Sequence, residues 1–145
     1  LLAFRLLDIS RIDEAEELLH QIECVRGMRF YAPLKARYLL ARGDSEAALP
    51  YFRTAYMNSW ASDARLRSPG TFALREGDYG HCLALAGRLD EAEAVLLRAY
   101  DRAMDWCGSA STRTSRIAGW IAELYEARSN PVEASRWRDR VEQAS

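Results

Sequence analysis

The sequence predicts an all-α chain built from helix pairs, and three observations predict it. Apolar residues recur at spacings of three and four, as in Leu18, Leu19, Ile22 and again in Ala92, Val95, Leu96, Ala99, with no strand-like alternation anywhere. Turn-forming residues interrupt this pattern at short intervals, with Gly43 and Gly87 standing where a preceding helix has to stop. Small and apolar residues then return at fixed offsets from those turns.

Taken in order, residues 1–8 read as the tail of a helix. The chain opens on Leu1-Leu2 without a methionine, a basic leader or a long apolar run, which predicts a piece of a longer protein with neither signal peptide nor membrane span. A second helix over 13–24 starts on the D-x-x-E capping box of Asp13 and Glu16. Helices over 32–41 and 45–59 flank Gly43, and Pro50 falls near the start of the latter, where a missing amide costs least. Residues 57–70, with Ser68-Pro69-Gly70, are the least regular part and read as a linker between pairs holding an extra turn near 63–66, not as a domain boundary. Helices over 72–86 and 90–106 flank Gly87, and Asp90 with Glu93 repeats the capping box. Helices over 112–128 and 131–143 complete four pairs, about 1–24, 30–59, 71–106 and 111–143, in a single domain.

Anchored on the turn residues Ser10, Gly43, Gly87 and Ser129, the pairs line up. Seven residues before the anchors stand Ala3, Ala36, Gly80 and Ala122, and five after them Ala15, Ala48, Ala92 and Ala134. Only small residues allow two helices to cross closely at such points. Nine after come Leu19, Phe52, Leu96 and Arg138, and twelve after come Ile22, Ala55, Ala99 and Val141, an apolar stripe that the last pair breaks at Arg138. Arg138 and the polar run Asp139, Arg140, Glu142, Gln143 predict a final helix that caps the array.

This pattern resembles the tetratricopeptide repeat, a helix-turn-helix unit with small residues at the crossing. The resemblance covers nearly the whole chain and implies a right-handed α-solenoid of about four antiparallel helix pairs. No tryptophan opens the first helices and no proline closes the second ones. The anchors are 33, 44 and 42 residues apart, against about 34 in the family. The run Gly80-His81-Cys82-Leu83-Ala84-Leu85-Ala86-Gly87-Arg88-Leu89-Asp90-Glu91-Ala92-Glu93, with Gly108 to Thr114 and Leu124-Tyr125-Glu126-Ala127, is similar to the repeat tails attached to bacterial serine/threonine protein kinases. The chain has no Gly-rich phosphate loop, no H-R-D and no D-F-G, so a kinase activity would lie outside it.

Composition narrows the function classes. With 145 residues, 49% of them hydrophobic, the chain can bury a core. A formal net charge of -1 gives no broad positive field to draw nucleic acid or an anionic membrane. The arginine–aromatic run Arg26, Arg29, Phe30, Tyr31 is balanced by neighbouring acids and does not change that. Cys24, Cys82 and Cys107 are odd in number and form no C-x-x-C pair, which fits a reducing, cytoplasmic setting better than a disulfide framework or zinc site.

No catalytic constellation emerges. His81 and Cys82 are neighbours with no second histidine or carboxylate at ligand spacing, and Cys82 reads as core. His20 reads as a solvated surface residue. The carboxylates Asp13, Glu14, Glu16, Glu17 and Asp90, Glu91, Glu93 crowd first helical turns, where the helix dipole favours them. Trp60, Trp106 and Trp137 read as packing between helices. The expectation is a non-enzyme with no cofactor and no metal.

What remains is a groove. In a right-handed stack of pairs the first helices line the concave side, and residues six, nine and thirteen before each anchor share one face. These are Arg37, Leu34 and Phe30; His81, Asp78 and Leu74; and Glu123, Trp120 and Arg116. The expected site is therefore Leu34, Arg37, Asp78, His81, Arg116, Trp120 and Glu123, with Trp120 as apolar anchor and Arg37 or Arg116 for a carboxylate. The expected partner is a protein or peptide segment. The alternative is a regulatory C-terminal segment of a kinase or other signalling protein that docks within its own chain.

Overall fold

The computed structural model describes residues 18, 28–61 and 68–143. The expected helices over 1–8 and 13–24 (Leu18 excepted), the Ser10 anchor, the Asp13–Glu16 box, His20 and the turn near 63–66 lie outside them. Six α-helices and no strand occur among the described residues: α1 (Met28–Ala41), α2 (Ser45–Ala61), α3 (Pro69–Leu85), α4 (Leu89–Cys107), α5 (Thr112–Ala127) and α6 (Pro131–Gln143). The chain divides into two compact units, Leu1–Asn58 and Ser59–Ser145.

The turn anchors close three helices in the same way. Gly43, Gly87 and Ser129 have φ of 83°, 83° and 57°. Their amides donate to Leu40, Ala84 and Glu126, and the next amides reach back to Leu39, Leu83 and Tyr125. This is the paired bonding of a left-handed helix C-cap, which satisfies carbonyls that the helix itself leaves open. Glycine adopts this conformation without strain, and Ser129 is the one non-glycine residue at positive φ among those described. At two of the anchors the next side chain caps the following helix: Asp44 Oδ1 accepts from the Ala47 amide at 3.0 Å and Asn130 Oδ1 from the Glu133 amide at 3.3 Å.

Three helix starts differ from expectation. α1 begins at Met28 instead of 32 and carries Pro33 in its second turn, where proline removes a single backbone bond. α3 begins at Pro69 instead of 72, because the fixed φ of proline suits the first helical position. In α4 the residue flanking the start is Arg88, which makes no side-chain cap bond. The Asp90–Glu93 capping box is therefore corrected. Asp90 lies inside the first turn, and Arg128 at the end of α5 bridges Asp90 and Glu93, the latter at 3.3 Å.

The positions expected to be small sit at the bottom of the core. Ala36, Ala48, Ala92 and Ala122 are fully buried, and Gly80 and Ala134 are buried with them. Phe52 and Leu96, nine after their anchors, are buried, as are Ala55 and Ala99 three further on; Arg138 is exposed and pairs with Glu126. In the first unit Leu34, Tyr38, Leu49, Phe52 and Tyr56 form the bulk of the core.

In the second unit α3 packs on α4, α4 on α5 and α5 on α6, and α3 also touches α5. Phe72, Leu83, Leu96, Ile117, Ile121 and Leu124 are the large apolar residues buried there. Trp137 is buried edge-on against Tyr100 with ring centroids 4.7 Å apart, as a packing residue should be. Trp106 is 46% exposed and has a tilted contact with Phe72, so the packing expectation holds for it only in part. The side chains of Phe30 and Trp60 lie outside the description.

Candidate functional site

Three of the seven expected groove residues come together. α3 supplies His81 and α5 supplies Trp120 and Glu123, one turn apart and hence on one face. The His81 ring stacks on the Trp120 indole with centroids 4.9 Å apart and an interplanar angle of 11°. His81 Nε2 lies 3.2 Å from Glu123 Oε2, so Nε2 carries the proton that the carboxylate accepts.

Gly77, one turn before His81 on α3, makes this approach possible. A Cβ there would lie 2.9 Å from Trp120 Cζ3 and 3.0 Å from Ile117 Cγ1. The absent side chain lets α5 seat its tryptophan against α3. Sequence reading missed Gly77. The small-residue stripe it forms with Ala73 and Gly80, at four and seven residues along α3, could have flagged it.

Burial pulls the His81 pKa below its ordinary value of 6.5, and the Glu123 charge and hydrogen bond offset part of that pull. His81 binds fewer protons folded than unfolded below about pH 6.5, so stability rises with pH there. It is lost as pH falls from the unfolded value through the folded one. Exchanging Glu123 for Gln removes the offsetting charge, and the imidazole midpoint followed by NMR is expected to drop further. A midpoint that rises in Glu123→Gln would contradict this account.

The other expected residues are placed as follows. Arg116 is exposed on α5, one turn before Trp120, and Asp78 is half-buried on α3. Arg37 is half-buried on α1 in the first unit. Leu34 is corrected: it is fully buried and packs in the core, because the face that α1 turns inward includes it with Tyr38. The cluster therefore comprises His81, Trp120 and Glu123, with Arg116 and Asp78 on the same two helices.

No protein-family model matches this chain, and no curated protein is significantly similar to it.

Chemically, the cluster offers an aromatic stack, a half-exposed carboxylate and a nearby arginine. Cys82, next to His81, is fully buried, as a core residue is expected to be. Among the described residues no group of three or more His, Cys, Asp or Glu side chains could hold a metal ion, and no helix is long and apolar enough to cross a membrane.

A buried carboxylate that sequence reading did not single out lies between α3 and α4. Glu76 is fully buried, with Oε2 2.8 Å from Arg102 Nη1 and 3.3 Å from Arg98 Nε. The Arg102 guanidinium also covers the Phe72 ring, 5.1 Å from its centroid. Glu76 interrupts the otherwise small and apolar stripe of Phe72, Ala73, Gly77 and Gly80. A charge at such a position signals a buried ion pair.

Proposed function

We propose that this chain is a protein-interaction module of tetratricopeptide type, a right-handed α-solenoid of antiparallel helix pairs that holds a peptide segment of a partner. The observation that carries the reading is the meeting of His81, Trp120 and Glu123. His81 and Glu123, each six before its anchor, and Trp120, nine before, come from two different first helices and join on a partly open face. That is the arrangement a groove lined by successive first helices requires.

In this reading the Trp120–His81 stack is the apolar platform, Arg116 receives a carboxylate of the peptide, and Glu123 receives a donor. Aromatic and arginine side chains contribute most at such surfaces, because they bury large areas or make paired hydrogen bonds.

Selection from a displayed random-peptide library tests it. A sequence class enriched on the intact chain is expected to lose at least about tenfold in affinity, or about 1.4 kcal/mol, with Arg116→Ala and Glu123→Ala together. Both residues are exposed, so helicity by circular dichroism stays unchanged. No enrichment, or enrichment that survives both changes, would sink the reading.

A further inference from the structure

The His81–Trp120–Glu123 cluster is the middle of a longer face. Gly77 lies against Ile117 and Trp120, while His81, one turn on, meets Trp120 and Glu123, so α3 and α5 run side by side in the same direction. One turn further along, the next residues on this face are Leu85 of α3 and Ala127 of α5. Both are exposed, Leu85 by 52%. One turn the other way from Trp120 stands the exposed Arg116. Along the face the order is therefore guanidinium, indole, carboxylate and then an apolar step.

Both charges are open to a ligand. No hydrogen bond or ion pair joins Arg116 to another of the described residues. Glu123 is 57% exposed, and its hydrogen bond from His81 reaches Oε2, which leaves Oε1 unpartnered among the described residues. Burial keeps the imidazole neutral near pH 7, so it does not compete as a cation. The other charges nearby are engaged: Asp78 has an interaction of its own, Arg128 pairs with Asp90 and Glu93, and Arg138 with Glu126. Seven helical residues separate Arg116 from Glu123, about 10 Å along the axis. A peptide in the polyproline II conformation has three residues per turn, so side chains three apart point the same way about 9 Å from each other.

We infer that, within the binding role proposed above, this face takes an extended peptide with an acidic residue, a basic residue three positions away and a large apolar residue directly beyond the basic one. The acid goes to Arg116 and the ammonium or guanidinium group to Glu123, each through charge-assisted hydrogen bonds. The apolar side chain covers Leu85 and Ala127, and the residues between the charges cross the Trp120 indole. A helical ligand is disfavoured. It lays a continuous apolar stripe into its groove, whereas here a charge interrupts the apolar surface on either side of the indole. A peptide with the two charges exchanged either meets like charges at both ends or, running the other way, leaves its apolar residue beyond Arg116 and away from Leu85.

The test is an amide ¹H–¹⁵N titration of the whole chain with four blocked peptides: Glu-Ala-Ala-Lys-Leu, its reverse Leu-Lys-Ala-Ala-Glu, and the two made from these by exchanging Glu with Lys. The first two differ only in chain direction. At least one of them is expected to give saturable shifts in residues 81–85 and 116–127, with an affinity at least about fivefold above both exchanged peptides. In Arg116→Glu/Glu123→Arg the preference is expected to reverse, a result that loss of folding cannot produce. Leu85→Ser is expected to remove most of the preference in the otherwise unaltered chain. Saturable binding without a preference, or a preference that does not reverse, overturns this inference and leaves the groove reading standing. Absence of binding by all four peptides overturns it as well, and the library selection described above then decides the groove reading separately.

Discussion

Replacing Arg102 by methionine is expected to lower the stability of the chain by about 3–5 kcal/mol, the usual cost of removing one partner from a buried ion pair. The carboxylate of Glu76 is fully buried, and its contact with Arg102 is shorter than that with Arg98, 2.8 Å against 3.3 Å. Without Arg102 the carboxylate loses its shorter guanidinium contact, and Arg98, which makes the longer one, has a side chain that is itself half in water. The reverse change is gentler. Glu76→Met leaves two guanidinium groups that can turn towards solvent, and methionine fills the carboxylate's space. The double variant Glu76→Met/Arg102→Met is accordingly expected to be more stable than Arg102→Met alone, since a well-packed apolar pair often matches a buried ionic one. Urea denaturation of the four proteins gives the coupling directly. A double variant less stable than Arg102→Met would show that the ion pair is not what holds α3 to α4.

The second large effect is expected at Gly80. A Cβ there would lie 2.8 Å from Leu96 Cγ and 3.1 Å from Val95 Cγ1, so the approach of α3 to α4 depends on a missing side chain. Gly80→Val forces these helices apart or drives Leu96 off its rotamer, at a cost of about 1–3 kcal/mol. The same chain supplies a control. At Gly119 the nearest atom to an added Cβ is Val141 Cγ2 at 3.9 Å, an ordinary contact. Gly119→Ala is expected to stabilise the protein by about 0.5–1 kcal/mol, through the reduced backbone entropy of the unfolded chain. Opposite signs at two glycines in helices separate crossing geometry from helix propensity. Loss of stability at both would refute the distinction.

These two sites differ in how far the sequence announced them. Gly80 was legible, because the offset from Gly87 that holds glycine here holds alanine at Ala36 and Ala122, and a position that is small in every pair has to lie at a crossing. The helix stops were legible for a similar reason. Gly43 and Gly87 act through the conformation of one residue and its nearest carbonyls, and such local chemistry is written in the neighbouring sequence. Starts were less so. Proline is tolerated throughout a first turn, as at Pro69, and in α1 Pro33 falls in the second turn, so a proline marks the neighbourhood of a start without fixing its residue.

The sequence by itself determined that the described chain is helical, where three of its helices end, which positions are small and buried, and that His81, Trp120 and Glu123 belong to related faces. Only the tertiary structure decided which of those faces meet. Trp120 and Glu123 share a face through helical spacing alone, but His81 reaches them because Gly77 admits α5 against α3. Leu34 had the right spacing for the groove and went into the core instead. Asp90 had the right spacing for a cap and was taken by Arg128 from another helix. Glu76 became a buried ion pair because Arg98 and Arg102 arrive from α4. In each case the deciding contact joins residues more than twenty positions apart or depends on which helix face turns inward, and periodicity within one helix carries no information about either.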